Sequence, residues 1–253
     1  MIFVLDVGNT NIKCGMFEDG VLIHSFRMAT DIEATSDQFG IRMIDFFRYL
    51  GHVPRDIDGV IISSVIPSIN YTLDHMVREY FKKKPMFVGP GIKTGINIKY
   101  DNPKELGTDR IVNAVAAYEL FGGPVITIDF GTATSFGAIS KNADFLGGAI
   151  CPGIKITSEA LTVNTARLPR IELMRPEKTI NKSTVTAMQA GIIYGYVGQV
   201  QYIVGKMKSE MGGAKVVATG GFSELIAQET DCIDEIIPTL TLIGLNKIYM
   251  KNC

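Results

Sequence analysis

The chain has 253 residues, of which 46% are hydrophobic, and this is enough for two modest domains that each bury a core. Its 25 basic and 26 acidic residues give a formal net charge of -1, so charge provides no reason to expect nucleic acid or an anionic membrane surface as a partner. The four cysteines stand far apart and the three histidines share no metal-ligand spacing, which argues against a disulfide framework and a zinc site.

The first third of the chain predicts a β-meander followed by alternating helices and strands. Over residues 1–30, short β-type runs alternate with glycine turns, which indicates three antiparallel strands. Apolar residues near helical spacing predict a helix over residues 36–50, with Ser36 as its N-cap. The run GVIISSVIP at 59–67 predicts a buried strand, and residues 71–84 predict a second helix. This alternation is typical of an α/β fold.

The start of the chain, MIFVLDVG, has none of the basic residues that open a secretory signal. No apolar run approaches the length of about 18 residues that crosses a membrane. We therefore expect a soluble, cytoplasmic protein that acts on a small molecule, with neither nucleic acid nor membrane as a partner.

The second half of the chain repeats the order of elements of the first. Residues 92–102 carry no regular pattern, and an apolar helix over 109–121 stops at Gly122-Gly123-Pro124. We place the boundary between two predicted domains, 1–118 and 119–253, near this breaker. The elements predicted after it are two strands joined by a glycine turn over 124–140, a third strand over 143–150, helices over about 153–165 and 183–211, a strand over 215–221, a short helix after Ser223 and a final helix over 239–250.

Two segments of the chain share one pattern: FVLDVGNTNIKCGMF at 3–17 and ITIDFGTATSFGAIS at 126–140. In each, a β-run ends in aspartate, a tight turn of small polar residues follows, and a second β-run begins. The amides and hydroxyls of such a turn can donate to phosphate oxygens, and the aspartate is suited to hold a cation or accept a proton. Turn chemistry alone would explain one copy, whereas repetition favours a site for a metal-bound polyphosphate. The alignment pairs Asp6 with Asp129, Gly8 with Gly131 and Thr10 with Ala133.

Other motifs support no rival chemistry. The string VGPGIKTG at 88–95 reads G-x-G-x-x-x-G and precedes INIKYDNP rather than a helix, so it does not predict a dinucleotide-binding loop. The chain has no G-x-S-x-G motif, which argues against a serine hydrolase. Cys151 has no histidine near it in the sequence to activate it, so tight packing is its simpler interpretation.

The duplicated hairpin resembles the acetate and sugar kinase, Hsp70 and actin superfamily, in which two such domains close over ATP. Within that superfamily the chain is similar to the type III pantothenate kinases. The resemblance implies an α/β fold of two similar actin-like (ribonuclease H-like) domains, each a mixed β-sheet flanked by helices, with the nucleotide in the cleft between them. Its motifs span essentially the whole chain: DVGNTNIK at 6–13, GTDR at 107–110, DFGTATSF at 129–136, GGAICPG at 147–153 and TGG at 219–221.

The resemblance also implies residues that bind ATP and its ions. Mg²⁺ is expected with ATP near Asp6, and a monovalent cation, K⁺ or NH₄⁺, is expected at Asp129. Gly220 and Gly221 are weaker nucleotide candidates, because plain strand-to-helix turn chemistry explains them nearly as well. The implied ATP-binding residues are Asp6, Val7, Gly8, Asn9, Thr10, Asn11, Ile12, Lys13 and Thr132.

Phosphoryl transfer needs a base that accepts the proton of the attacking hydroxyl, and we assign this role to Asp109 of the GTDR motif. The alternative is that Asp109 only caps the helix predicted over 109–121. The neighbouring Arg110 can bind a carboxylate group of the substrate. By resemblance, the residues that bind pantothenate are Tyr100, Gly107, Thr108, Asp109, Arg110 and Thr184.

The expected reaction is therefore ATP-dependent phosphorylation of pantothenate to 4′-phosphopantothenate, the first step of coenzyme A biosynthesis. Two alternatives remain open: a kinase of another small alcohol on the same fold, or a non-catalytic regulator derived from it. The family forms dimers, so we expect a homodimer in which the long helix over 183–211 forms the interface. Met188 and Tyr194 on this helix fit a core or subunit-contact face.

Overall fold

A computed structural model describes residues 1–253, which form two units, each built around one mixed β-sheet. The strands are β1 (Ile2–Val7), β2 (Asn11–Glu18), β3 (Val21–Ala29), β4 (Gly59–Ser64), β5 (Met86–Phe87), β6 (Asn97–Ile98), β7 (Val125–Phe130), β8 (Ala133–Ile139), β9 (Asp144–Pro152), β10 (Lys215–Gly220) and β11 (Glu235–Ile236). The helices are α1 (Ser36–Tyr49), α2 (Asn70–Met76), α3 (Thr108–Phe121), α4 (Ile154–Val163), α5 (Thr184–Met211), α6 (Ser223–Ala227) and α7 (Leu240–Met250).

The first unit comprises Met1–Gly95, Lys104–Ala116 and Leu240–Cys253. Its sheet has the order β3-β2-β1-β4-β5, in which β1, β2 and β3 are antiparallel while β1, β4 and β5 are parallel. The central strand β1 is buried from its second residue onward, as a strand with neighbours on both sides and helices on its faces should be.

Helices cover both faces of this sheet. Phe3 and Leu5 of β1 face one side and belong to the apolar core that α1 and α2 complete. Val4 faces the other side, next to Leu242 of α7. This alternation follows from the two-residue period of a strand, and it means that Asp6, two residues after Val4, lies on the α7 side of the sheet.

The second unit comprises Ile96–Pro103 and Ala117–Thr239. Its sheet has the order β11-β10-β7-β8-β9-β6 and repeats the plan of the first: an antiparallel meander whose first strand also pairs in parallel with a later strand. Its main core packs β7 and β8 against α5, through Ile128, Phe136 and Ile193 among others. The predicted fold class, mixed sheets flanked by helices, is confirmed.

The two hairpins of the repeat differ by one residue. In the first, Val7 pairs with Ile12, so residues 8–11 form the connection. In the second, Phe130 pairs with Thr134, so only residues 131–133 lie between the two paired residues. The gapless alignment of the two copies therefore holds for their first strands and shifts by one position in their second strands, because a turn tolerates a deletion that a strand core does not.

Several local predictions differ from the structure. Helix α1 is capped by Thr35 rather than Ser36, because Thr35 and Gln38 form a reciprocal capping box. The α-helical part of the second predicted helix ends at Met76, and a π-helical turn follows over Val77–Phe81. The short strands β6 and β11 were not predicted, since two-residue strands leave no periodic pattern.

The C-terminal helix α7 packs with the first unit, whereas the predicted domain 119–253 includes it with the second half of the chain. The close approach of α7 to α3 is visible at Gly244, where an added Cβ would lie 2.8 Å from Val112 Cγ1. The first unit combines segments from both ends of the chain, so no single domain boundary in the sequence can describe it. None of the helices combines the length and apolar character that crossing a bilayer requires.

Candidate active site

The first hairpin ends in a carboxylate paired with a cation. Asp6, at 7% exposure, pairs in register with Lys13 on β2, and Lys13 Nζ lies 3.5 Å from Asp6 Oδ2. Burial and the nearby Asp6 charge raise the pKa of the Cys14 thiol, so Cys14 stays protonated and serves as packing. The strand end therefore carries a buried aspartate next to a lysine.

The turn after Asp6 is braced by Thr30 at the end of β3. The Gly8 amide donates to the Asn11 carbonyl at 3.0 Å, and the Thr30 hydroxyl donates to the Gly8 carbonyl at 2.6 Å. The Thr30 amide donates to the Thr10 carbonyl at 3.0 Å. Carbonyl oxygens repel phosphate. When these carbonyls accept hydrogen bonds from within the protein, the turn is better suited to present amides to a phosphate group. The predicted ATP-binding residues 8–11 form this turn.

The GTDR motif forms the start of α3. The Gly107 carbonyl accepts hydrogen bonds from the amides of Arg110 and Ile111, at 3.1 and 3.3 Å, so Gly107 occupies the N-cap position. Asp109 is the second helical residue, and the explanation that it merely caps the helix is not supported. A Cβ on Gly107 would collide with Asp109 Oδ1, so the glycine leaves the room that the carboxylate occupies. An anion in the first turn is favoured by the helix dipole.

Thr108 attaches the start of α3 to the end of β4. Its hydroxyl donates to the Ser64 carbonyl at 3.2 Å and accepts from the Ser63 hydroxyl at 2.9 Å. Ser63 pairs in register with Asp6 across the parallel strands β1 and β4. The structure thus brings two predicted site segments, the first hairpin and GTDR, to the carboxyl edge of one sheet, where ligands bind in open α/β folds.

The second hairpin carries Asp129 near the end of β7. Its register partners are Ser135 on β8 and Thr219 on β10. The Gly131 amide closes the turn on the Ala133 carbonyl at 3.2 Å, and a Cβ on Gly131 would lie 3.6 Å from Asp129 Oδ1. The carboxylate therefore reaches the turn that presents Thr132.

This second turn is supported by Gly153 and Tyr196. The Gly153 amide donates to the Thr132 carbonyl at 3.1 Å. Burial raises the pKa of the Tyr196 phenol, so it keeps its proton and donates it to the Pro152 carbonyl at 3.0 Å. Its oxygen then accepts from Thr134, which closely contacts it. Tyr196 was not predicted as part of the site, because the contact joins residues far apart in the chain.

Replacing Gly153 by alanine is expected to displace the Thr132 turn. The new Cβ would lie 2.6 Å from the Gly131 carbonyl oxygen and overlap that of Thr132, and neither backbone atom can move alone. Thr132 is a predicted ATP contact, so misplacement of this turn by a few tenths of an ångström should raise the KM for ATP about tenfold. Steady-state kinetics measure this, with Gly89→Ala as the control because an added Cβ there meets nothing within 4 Å. An unchanged KM for ATP would remove Thr132 from the nucleotide site.

The remaining predicted residues lie in the second unit. The Tyr100 ring is half-buried, 6.3 Å from the Phe145 ring centroid. Thr184 is exposed at the start of α5 and lines a largely apolar cavity of about 990 Å³ between α4 and α5. Gly220 has φ 96° and an added Cβ would lie 2.6 Å from the Phe130 amide nitrogen, so sheet packing alone requires a glycine there. Gly221 follows it and is exposed.

The structure contains no group of three or more His, Cys, Asp or Glu side chains that could hold a metal ion. A single carboxylate at a strand end, such as Asp6, instead suits Mg²⁺ that arrives with a polyphosphate, since this ion keeps most of its ligands as water and phosphate oxygens. Asp129 with the neighbouring Ser135 offers oxygen donors appropriate to a hard monovalent cation.

Several solved structures share the fold of this chain. The chain has a TM-score of 0.63 and 20% identity to a Campylobacter jejuni protein described as a Baf family transcriptional activator, covering 99% of this chain and 98% of that one. It has a TM-score of 0.62 and 11% identity to a Sinorhizobium meliloti protein described as a 2-dehydro-3-deoxygalactonokinase, covering 99% and 96%. A Listeria monocytogenes protein described as an N-acetylmannosamine kinase gives 0.53 and 13%, covering 99% of both chains. The chain shares its fold with these three proteins.

The family follows from the sequence of the chain itself. A model of the type III pantothenate kinase family matches residues 2–206, and the chain belongs to that family. The chain is accordingly a kinase that transfers a phosphoryl group from ATP to pantothenate in coenzyme A biosynthesis, with a divalent metal that accompanies ATP.

Proposed function

We propose that the first hairpin and the start of α3 form the reaction centre, with Asp109 as the base. The observation that carries this is the attachment of Thr108 to the end of β4, the strand that pairs with β1 at Asp6. A turn rich in amides, a carboxylate for the metal and a second carboxylate for the proton then belong to one sheet edge. Phosphoryl transfer needs these three elements together.

Asp109 accepts the proton of the 4′-hydroxyl as that oxygen forms a bond to the γ-phosphorus and the bond to the ADP oxygen breaks. The turn at residues 8–11 and Lys13 offset the negative charge on the phosphates. Asp6 would hold the Mg²⁺ that arrives with ATP, and the ion would supply positive charge to offset that of the phosphates. The proton of the hydroxyl thus goes to Asp109, whereas ADP leaves from the opposite side of the γ-phosphorus, as an in-line transfer requires.

Pantothenate carries a carboxylate, an amide and two hydroxyls, and the proposed contacts match these groups. Arg110 is buried at 7% exposure, where a guanidinium next to a substrate carboxylate is worth more than on the surface. The hydroxyl of Thr108 has two partners on β4, so its contact with the substrate uses its remaining lone pair or its backbone. Tyr100, Gly107 and Thr184 complete the proposed substrate-binding set.

In the second unit, Thr132 contacts ATP and Asp129 holds K⁺ or NH₄⁺. The closeness of the Asp129 carboxylate to the turn supports this, because a cation there would lie beside phosphate oxygens bound at the same turn. The cytoplasm, which supplies ATP, Mg²⁺ and K⁺, is the proposed location.

A homodimer through α5 completes the proposal. An added Cβ at four glycines of this 28-residue helix would meet no atom within 4 Å: Gly191, Gly195, Gly198 and Gly205. Glycine inside a helix costs about 0.5–1 kcal/mol relative to alanine, so an exposed row of it calls for an explanation. Close packing of a helix from a second copy of the chain against this glycine face would explain the row, and the apolar cavity beside α5 adds apolar area that the contact can bury.

Gly195→Arg is expected to convert the dimer to a monomer without unfolding it. The larger side chain has open space within the chain but would obstruct a partner helix. Size-exclusion chromatography with light scattering measures the mass, and Asn142→Arg places the same charge on an exposed turn as a control. A wild-type monomer, or an unchanged mass for Gly195→Arg, would contradict the proposed interface.

The reaction itself is tested with purified protein, ATP, Mg²⁺ and pantothenate, with and without K⁺. We expect ADP formation that depends on pantothenate and a product with the mass of 4′-phosphopantothenate. Phosphorylation of a sugar with pantothenate untouched would favour a kinase of another small alcohol. No transfer to either acceptor would favour the non-catalytic regulator.

A further inference from the structure

Ser63 is a fully buried polar residue at the end of an otherwise apolar strand. It has 0% exposure and lies on β4, where the run GVIISS changes from aliphatic to hydroxyl side chains. Burying a hydroxyl is unfavourable unless it is hydrogen-bonded. Its partner is therefore informative about why a serine occupies this position.

The neighbours of Ser63 in the sheet are the charged residues of the first hairpin. Ser63 pairs in register with Asp6 on β1, and Asp6 pairs with Lys13 on β2. Side chains at register positions share a face of the sheet. One row of polar groups thus crosses three strands at their end, on the side that α7 covers.

The hydrogen bonds at Thr108 have a defined direction. The Thr108 hydroxyl gives its single proton to the Ser64 carbonyl at 3.2 Å, so at the 2.9 Å contact Ser63 is the donor and Thr108 the acceptor. Two hydrogen bonds therefore attach the first residue of α3 to β4. Asp109 is the next residue along.

We propose that Ser63 is a positioning residue for phosphoryl transfer, which acts through Thr108 to set the place of Asp109 relative to the Asp6 strand. This rests on the proposed function of Asp109 and adds a residue that the family motifs used above do not contain. A serine at position 63 supplies the hydrogen-bond donor to Thr108 and is only slightly larger than alanine. With alanine at this position, only the hydrogen bond to the Ser64 carbonyl would hold the start of α3 to β4.

Ser63→Ala is expected to lower kcat about 10- to 100-fold, because small displacements of a reacting group are costly, while the KM for ATP stays unchanged. Thr241→Val is the matched control: it removes a buried 2.9 Å hydrogen bond to Asn113, one helical turn after Asp109 on α3. The control should lower the melting temperature by as much as Ser63→Ala and lower kcat less.

A double-mutant cycle separates positioning from general stability. If Ser63 acts through Thr108, then Ser63→Ala combined with Thr108→Val should lose no more kcat than Thr108→Val alone. Where Ser63→Ala does not fold, Ser63→Cys is measured instead, since it keeps the volume and weakens the donor.

The outcomes distinguish this proposal from the function on which it rests. Wild-type turnover of pantothenate that disappears in Asp109→Asn supports the assigned base without reference to Ser63. If that holds and Ser63→Ala keeps full kcat, or loses no more than Thr241→Val, only the role of Ser63 is overturned. Additive losses in the cycle overturn it as well. A wild-type protein that leaves pantothenate untouched overturns both.

Discussion

Asp109→Asn is expected to abolish phosphorylation of pantothenate while nucleotide binding is largely retained. The amide cannot accept the proton of the attacking hydroxyl, and loss of a general base lowers kcat by about 10² to 10⁴-fold. The change is nearly isosteric, so the room left by Gly107 should still accommodate the side chain. A coupled assay for ADP measures kcat, and calorimetry with a non-hydrolysable ATP analogue measures binding.

Asp101→Asn is the matched control for Asp109→Asn. It makes the same change of charge at an exposed position a few residues before the motif, and its kcat should equal that of the wild type. Unchanged turnover in Asp109→Asn would remove this residue from the role of base. Loss of analogue binding together with turnover would instead place it in the nucleotide site.

Asp129→Asn is expected to weaken the proposed activation by K⁺. Neutralising the carboxylate would take a negative charge from the proposed cation site, so the K⁺ concentration needed for half-maximal activity should rise sharply. At the K⁺ concentration that saturates the wild type, the proposed site would then be largely empty, and kcat there should fall about 10²-fold because the cation would no longer offset phosphate charge in the transition state. Titration of K⁺ and NH₄⁺ at fixed ATP, Mg²⁺ and pantothenate measures both effects.

Asp231→Asn controls for charge removal elsewhere in the second unit, since Asp231 is exposed, and it should leave the K⁺ titration curve unchanged. A wild-type enzyme with equal activity in K⁺ and in choline would contradict the monovalent-cation site. If K⁺ activates both wild type and Asp129→Asn with the same midpoint, the cation binds elsewhere.

The repeat could be predicted from sequence because its information is local. A β-run, an aspartate, a glycine turn and a second β-run lie within fifteen aligned positions, and β1–β2 and β7–β8 form where that pattern predicts them. The one-residue difference between the turns could not be predicted, since identity between the copies is thin. Only the strand pairing shows that the second turn is one residue shorter than the first.

The interactions that support the site were not predictable, because they join residues far apart in the chain. Ser63 and Thr108 are 45 positions apart, and Thr134 and Tyr196 are 62 apart. Each residue has an ordinary local explanation, as the end of a strand or part of an apolar helix face. A polar residue closing an apolar strand was the available signal for Ser63, and it indicates a buried partner without identifying it.

The sequence by itself determined the class of fold, the two strand-end aspartates and the family motifs, because these depend on short-range periodicity, turn chemistry and the order of residues along the chain. Tertiary structure alone decided that α7 belongs with the first sheet, that Gly107 rather than Asp109 caps α3, and that Ser63 contacts Thr108. The physical reason is that packing and buried hydrogen bonds are selected by the free energy of the whole core, in which neighbours in space need not be neighbours in sequence.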